Sequence, residues 1–261
     1  LFSPHILLTL ISKTDKKGID IVSCTRFCLD EFHERSVDTD VLIAVLSDKM
    51  KKMVQKRTNF PMQVLMMSAT PDSRVLRCFG NVDELSLPNS QLFNIEDINI
   101  TVEAKSKVNP EVISQTFGVI KKMASKTLDV GHILIFTSGN SRITDIQNHI
   151  ISDCEMQCKD EDTIVKVIKD FEVMLKGKTI EQFYKKLDNY IYQQEKSVSK
   201  RKKVLFVLPI RYLGYVSDEQ KEIGKNSIPN HDNVVKVIIA TNAIESSITI
   251  NNLAAVIDSC L

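Results

Sequence analysis

The 261 residues suffice for one large domain or two ordinary ones, and the hydrophobic content of 43% can fill real cores. Lys and Arg number 34 against 33 Asp and Glu, and the formal charge of +1 neither indicates nor excludes a nucleic-acid partner. No apolar run approaches the length of a membrane span, and the first residues lack the basic start of a signal peptide. We therefore expect no membrane association. The 6 cysteines are typical of reduced thiols in a cytoplasmic or nuclear protein.

Short apolar runs that end in polar residues recur along the chain and predict strands. Segments with helical periodicity, such as residues 41–56, lie between several of them. This alternation is typical of an α/β fold, in which helices cover both faces of a parallel sheet and ligands bind at the carboxyl ends of the strands. The predicted strands lie within residues 19–25, 63–70, 132–139, 204–210, 234–242 and 254–259.

Two shifts in composition divide the chain. Residues 88–110 are polar, with prolines near both ends, and predict a connection that contains at most one strand, Ile98 to Val102. A second stretch, 152–203, is rich in lysine and acids, has helical patterns over 163–177 and 179–194, and ends in the basic run SKRKK. We predict a helical insertion on the surface whose basic end contacts RNA or an acidic partner. A solvated linker is the alternative.

Adjacent carboxylates, Asp30 and Glu31, follow the apolar residues Phe27 to Leu29. One interpretation is a solvated turn after a strand. The other is a metal and nucleotide site, because a carboxylate at a strand end can hold Mg²⁺ through water while a second carboxylate orients or deprotonates the attacking water. The dipeptide alone does not decide between them.

Four clusters in order favour the second interpretation. DEFH (30–33) is followed by SAT (68–70), HILIFTSG (132–139) and KVIIATNAIESSITI (236–250). Together they resemble motifs II, III, IV and V of superfamily 2 helicases, most closely the DEAH-box group. The resemblance implies two RecA-like parallel-sheet domains. The first, 1–90, would be truncated at its N-terminus, and the second, 91–261, would carry the insertion and be incomplete at its C-terminus.

The resemblance also implies roles on the nucleotide side, with ATP as substrate and Mg²⁺ as cofactor. Asp30 would bind the metal with Glu31 beside it, and Glu31 would activate the hydrolytic water. His33 would link the nucleotide to motif III, where Ser68 and Thr70 connect hydrolysis to domain motion. Further nucleotide contacts are implied at the domain interface, from Glu245 and Ser247.

On the nucleic-acid side, the resemblance implies that Thr137, Ser138, Thr241 and Asn242 contact the backbone of single-stranded RNA. Hydroxyl and amide groups suit phosphate oxygens and 2′-hydroxyls, which carry no sequence information, so binding without sequence preference is expected. A protein cofactor is compatible with this function. Taken singly, Ser68 with Thr70, or Thr137 with Ser138, could instead cap the helix that follows.

Several features depart from the family. No pair among the 8 glycines has the P-loop spacing, and the arginine-rich motif VI that would follow motif V is not present in these residues. We therefore expect no NTP hydrolysis by this chain alone. Thr25 and Arg26 stand almost against Asp30, which indicates either a skipped segment or a chance match within the motif II strand. Where the family commonly has an aromatic stacked on adenine, this chain has Ile223 and Gly224.

Two other functions remain open on the sequence. One is a non-catalytic fragment or degenerate paralogue that binds RNA or a protein. The other is a viral DExH helicase that acts on RNA or DNA.

Overall fold

Two α/β units, divided between Glu96 and Asp97, make up the part of the chain that the structure describes. The computed structural model describes residues 3–13, 26–55, 62–87, 94–101, 108–198, 201–241 and 249–259. Both units contain a parallel sheet, which confirms the predicted fold class. No helix within these ranges is long and apolar enough to cross a membrane.

The first unit contains a two-stranded parallel sheet packed against helices. Phe27 and Leu29 of the first strand are buried together with Phe32 and with apolar residues of the long helix that follows. Strand residues alternate between buried and exposed, as expected for a sheet with one covered face. The elements are α1 (Pro4–Lys13), β1 (Arg26–Leu29), α2 (Val37–Gln55), β2 (Gln63–Met66) and α3 (Ser73–Leu76).

Arg26 is the first residue of β1, and its Nε donates to Oε1 of Gln63, its partner across the strands, at 3.2 Å. The strand before Asp30 therefore begins no later than Arg26. The predicted strand over residues 19–25 and the skipped-segment question lie outside the described residues.

The second unit is a five-stranded parallel sheet in the order β4-β5-β6-β3-β7. The middle strands bury both faces: Leu205 and Val207 of β5 join one core, and Phe206 and Leu208 join the other. This explains why the sequences of these strands are almost entirely apolar. The elements are α4 (Val108–Ala124), β3 (His132–Phe136), α5 (Asn140–Gln157), β4 (Thr163–Val167), α6 (Phe171–Leu175), α7 (Ile180–Lys196), β5 (Lys203–Tyr212), α8 (Asp218–Lys225), β6 (Val234–Ala240) and β7 (Leu253–Asp258).

The prediction for residues 152–203 is wrong in part. The segment 163–177 is not one helix, because β4 occupies its first residues and pairs in parallel with β5. Every second residue of β4 is buried, namely Thr163, Val165 and Val167. This period of two is typical of a strand, and it was mistaken for a helical pattern in the sequence. Helix α7 is as predicted, but it packs Phe183, Leu187 and Ile191 into the sheet core and is no surface excursion.

The connection between the units carries no regular structure in its described parts, residues 80–87 and 94–101. The strand expected from Ile98 is not formed over residues 98–101, and Val102 lies outside the described residues. Large apolar side chains are exposed here, among them Leu85, Leu87, Ile95 and Ile98.

Lys236 lies in the middle of β6 and is fully buried. Its Nζ donates to the backbone carbonyls of Ile223 at 3.0 Å, Gly224 at 2.8 Å and Asn226 at 2.5 Å, so the ammonium binds the otherwise unpaired end of α8. Burial lowers the pKa of Lys236 to about 8. The contact ties the end of α8 to the centre of the sheet.

His132 is also buried, and its Nδ1 accepts a hydrogen bond from the backbone N–H of Lys236 at 3.2 Å. Burial, and then the charge of Lys236, lower the pKa of His132 to about 3. The folded unit therefore keeps the imidazole neutral at pH values where the unfolded chain protonates it.

We expect the second unit to lose stability as the pH falls below about 6.5, the ordinary pKa of histidine. Because the unfolded chain then binds a proton that the folded state does not, the free energy of unfolding should drop by about 2 kcal/mol between pH 7 and pH 5 from this residue alone. Urea unfolding of the wild type and of His132→Gln at both pH values isolates the contribution. An equal pH dependence of the two proteins would contradict it.

Candidate functional site

Asp30 and Glu31 lie immediately after β1, at the carboxyl end of the strand. Asp30 is exposed, and its Oδ1 accepts a hydrogen bond from the backbone N–H of Glu31 at 3.0 Å. Glu31 has a left-handed backbone conformation, with φ of 50°, which turns the chain into a single 3₁₀ turn, Phe32–Glu34. Phe32 is buried and anchors that turn, so both carboxylates face solvent at the sheet edge.

His33 joins this turn to the segment that follows β2. Its Nδ1 lies 3.2 Å from Oε2 of Glu31 and 3.0 Å from Oγ of Ser68. Ser68 Oγ in turn accepts from the backbone N–H of Thr70 at 3.0 Å. The structure therefore brings together Glu31, His33, Ser68 and Thr70 in one chain of polar contacts.

Backbone hydrogen bonds hold the two segments in place beyond the ends of the strands. The N–H of Met67 donates to the carbonyl of Leu29 at 2.9 Å, and the N–H of Phe32 donates to the carbonyl of Met67 at 3.4 Å. These bonds extend the ladder between β1 and β2. The contact between His33 and Ser68 thus follows from the strand pairing as well as from the side chains.

The capping interpretation of Ser68 and Thr70 is wrong. Asp72 is the residue that caps α3, because its Oδ1 accepts from the backbone N–H of Arg74 at 2.9 Å. The hydroxyl groups of Ser68 and Thr70 are thereby left for other contacts. Likewise, α5 begins after Gly139 without a side-chain cap, so neither Thr137 nor Ser138 caps that helix.

A cluster of ion pairs around Arg35 supports the 3₁₀ turn that follows β1. The guanidinium donates to both carboxylate oxygens of Asp40, at 2.7 and 3.0 Å, and to Oδ2 of Asp72 at 3.0 Å. Arg35 thereby connects the turn after β1 with the first turn of α2 and with the start of α3. Hydrogen bonds from Arg74 lower the pKa of Asp72 to about 2, with a smaller contribution from Arg35.

The oxygen donors of Asp30 and Glu31 fit a magnesium ion, which is bound in proteins by one or two carboxylates together with waters and substrate phosphates. Within the described residues, no group of three His, Cys, Asp or Glu side chains converges on one point. The donor set therefore suits a hydrated ion shared with a phosphate chain rather than a cage built from protein alone.

In the second unit, the residues after β3, β6 and β7 leave the sheet at one edge. Phe136 pairs with Ala240 of β6 and with Asp258 of β7. The N–H of Thr137 donates to the carbonyl of Ala240, and the N–H of Ser259 to that of Phe136, both at 3.0 Å. This register places Thr137 beside the end of β6, which Thr241 follows.

The candidate nucleic-acid residues at this edge differ in exposure. Ser138 is exposed and Thr241 is half-buried. Thr137 continues the backbone ladder of the sheet and is only 1% exposed, and its hydroxyl has no hydrogen-bond partner within the described residues. A surface contact through the side chain of Thr137 is therefore not supported. The candidates Asn242, Glu245 and Ser247 lie outside the described residues.

At the end of α8, Gly224 lies against the ring of Tyr212. A Cβ atom on Gly224 would stand 2.8 Å from Cδ2 and 2.9 Å from Cε2 of that ring. Because Tyr212 is 3% exposed and tightly packed, an aromatic side chain does not fit at position 224 without displacing it. The glycine at position 224, where the family commonly has an aromatic residue nearby, is therefore packed against Tyr212.

Comparisons with known proteins agree with the order of the motifs. ATP-dependent RNA helicase HrpA of Borreliella burgdorferi is 26% identical over 237 residues, 88% of this chain. A protein of Homo sapiens named "Probable ATP-dependent RNA helicase DHX35" is 27% identical over 238 residues, again 88% of the chain. ATP-dependent RNA helicase DEAH12 of Arabidopsis thaliana is 28% identical over 130 residues, 49% of the chain.

This chain resembles the DEAH-type RNA helicases. The similarity extends over most of the chain, and the shared names confirm the resemblance drawn from the four motifs. No family model matches the sequence. The chain spans only 21% of the length of HrpA and 26% of that of DHX35.

Two features of this DEAH-like chain were not found by reading the motifs. Arg35, Asp40 and Asp72 form the network that supports the motif II turn, but their spacing carries no recognisable signal. Arg142, in the first turn of α5, has a buried Nη1 without a hydrogen-bond partner within the described residues. An arginine in the first turn of a helix that follows a strand could have been used to predict an anion-binding position from the sequence.

Proposed function

We propose that this chain is the motif II to motif V part of an ATP-dependent RNA helicase, which couples ATP hydrolysis to RNA unwinding or remodelling. The observation that supports this most is the contact of His33 with both Glu31 and Ser68. It connects a carboxylate suited to activate water with the segment after the neighbouring strand. The non-catalytic alternative would leave this arrangement without a use.

On the nucleotide side, Glu31 accepts the proton of the attacking water, since a carboxylate placed at a strand end is a general base within reach of a bound phosphate chain. Asp30 would hold a Mg²⁺ ion through water, and the ion would supply positive charge beside the phosphates. Ser68 and Thr70 connect hydrolysis to domain motion through the contact of Ser68 with His33. Glu245 and Ser247 complete the set as further nucleotide contacts.

On the RNA side, Ser138, Thr241 and Asn242 contact the sugar-phosphate backbone. The first N–H groups of α5 have no side-chain cap, and Arg142 adds a cation in the same turn. Such groups recognise phosphates of any sequence, which supports a single-stranded RNA partner bound without sequence preference. The described cysteines, Cys28, Cys78, Cys154 and Cys158, are all free, which supports a cytoplasmic or nuclear location.

RNA-stimulated hydrolysis by the whole protein tests this function. We expect single-stranded RNA to accelerate phosphate release from ATP, and RNA with a single-stranded overhang to be unwound. Single-stranded DNA of the same sequence is the matched control. Absence of any stimulation by RNA would contradict the proposal, and stimulation by DNA alone would assign the protein to DNA.

His33→Ala and Ser68→Ala should lower unwinding more than RNA-stimulated hydrolysis. Both remove the hydrogen bond between His33 and Ser68, worth about 1 kcal/mol, so we expect the ratio of strands unwound per ATP hydrolysed to fall about fivefold. Thr70→Ser keeps the hydroxyl and serves as control. Equal losses of both activities would mean that the contact stabilises the fold and does not couple the two.

A further inference from the structure

Tyr215 exposes 72% of its surface at the edge of the sheet where β5 ends. It lies in a tight turn closed by a hydrogen bond from the N–H of Val216 to the carbonyl of Leu213 at 3.2 Å. Leu213 is buried on one side of the turn. On the other side, Ser217 caps α8 by accepting from the N–H of Gln220 at 3.2 Å. The turn is held at both ends, so its backbone has little freedom left to lose on binding.

The strand register places this turn at the same edge as the RNA-binding candidates. Tyr212 pairs with Ala240, and Ala240 pairs with Phe136, so β5, β6 and β3 end level with one another. Neighbouring strands are about 4.8 Å apart, and two spacings separate the end of β5 from that of β3 by about 10 Å. Tyr215, Thr241 and Ser138 therefore follow three successive strands along one edge.

The exposure of Tyr215 has no explanation in the packing of the unit. Tyr212, three residues earlier, is buried with its ring against Gly224, whereas Tyr215 leaves a large apolar ring in water. The first turn of α8 carries Asp218 and Glu219, which disfavour a phosphate beside the ring. An uncharged, flat group is the ligand that this surface favours.

We propose that Tyr215 stacks on an unpaired base of the single-stranded RNA whose backbone contacts Ser138 and Thr241. The inference rests on the proposed function and adds a base-binding position to it. Aromatic rings stack on every base, so the contact adds affinity without adding sequence preference. It also requires the RNA to be single-stranded at this point, because a paired base has no free face.

The test measures binding of fluorescent single-stranded oligouridylate to the 261-residue chain by anisotropy over a range of salt concentrations. Tyr215→Ala should weaken binding about tenfold, whereas Tyr215→Phe, which keeps the ring, should bind as the wild type does. The slope of log affinity against log salt should stay unchanged, because no phosphate contact is lost. Tyr192→Ala is the matched control, since Tyr192 is 55% exposed on α7.

A second arm uses the same RNA with abasic sites. The wild type should lose affinity for it to about the level of Tyr215→Ala, and the variant should be indifferent to the missing bases. Equal binding of base-bearing RNA by the wild type and Tyr215→Ala, or a changed salt slope in the variant, would overturn the stacking role alone. Absence of RNA binding by the wild type would overturn the proposed function itself.

Discussion

Replacing Glu31 by glutamine is expected to lower ATP turnover by the whole protein about a hundredfold or more, while nucleotide binding stays nearly unchanged. Glutamine has the same shape but cannot accept a proton from water. The left-handed backbone at Glu31 and the buried Phe32 next to it define the turn, and neither depends on the charge of the side chain. The substitution should therefore remove the base and leave the site in place.

Single-turnover phosphate release separates this effect from binding, which a fluorescent ATP analogue measures. Glu34→Gln is the matched control, because Glu34 is an exposed carboxylate in the same 3₁₀ turn and has no proposed part in the reaction. We expect that variant to hydrolyse ATP at the wild-type rate. Near-normal turnover by Glu31→Gln would exclude Glu31 as the base.

Replacing Lys236 by methionine is expected to lower the free energy of unfolding of the second unit by about 3 kcal/mol. Methionine fills much of the same space but donates nothing, so the carbonyls of Ile223, Gly224 and Asn226 would be left without the ammonium. An unpaired buried polar group costs about 1–3 kcal/mol. Relief from burying a charge offsets part of that loss, which keeps the net effect below the sum.

Urea unfolding measures the loss of stability, with Lys203→Met as control because Lys203 is exposed at the start of β5. A total stability of about 5–15 kcal/mol is usual for a domain, so the expected change is a large part of it. If Lys236→Met unfolds at the same urea concentration as the wild type, the lysine does not stabilise the end of α8.

The sequence by itself determined the strands of the second sheet that are covered on both faces. The central residues of β3, β5 and β6 are apolar, apart from Lys236, because both faces of each strand are buried. It also determined α2 and α7, whose apolar residues recur at helical spacing. The short runs that resemble helicase motifs could also be recognised from the sequence, because the turns at strand ends require particular residue types in a fixed local order.

Contacts between residues distant in sequence were decided only by the tertiary structure. His33 reaches Ser68, and Arg35 reaches Asp72, because the pairing of β1 with β2 brings their ends together. The five residues of β4 were misread as helix, since a short apolar run fits either period until a neighbouring strand pairs with it.

Burial likewise could not be read from residue type. Tyr212 and Tyr215 are three residues apart, yet one fills the space beside Gly224 and the other faces solvent. Lys236 is buried although lysine is almost always exposed, because the end of α8 supplies three carbonyls at the point where its ammonium lies. Exposure depends on what the rest of the fold places opposite a side chain, and the sequence around a residue does not contain that information.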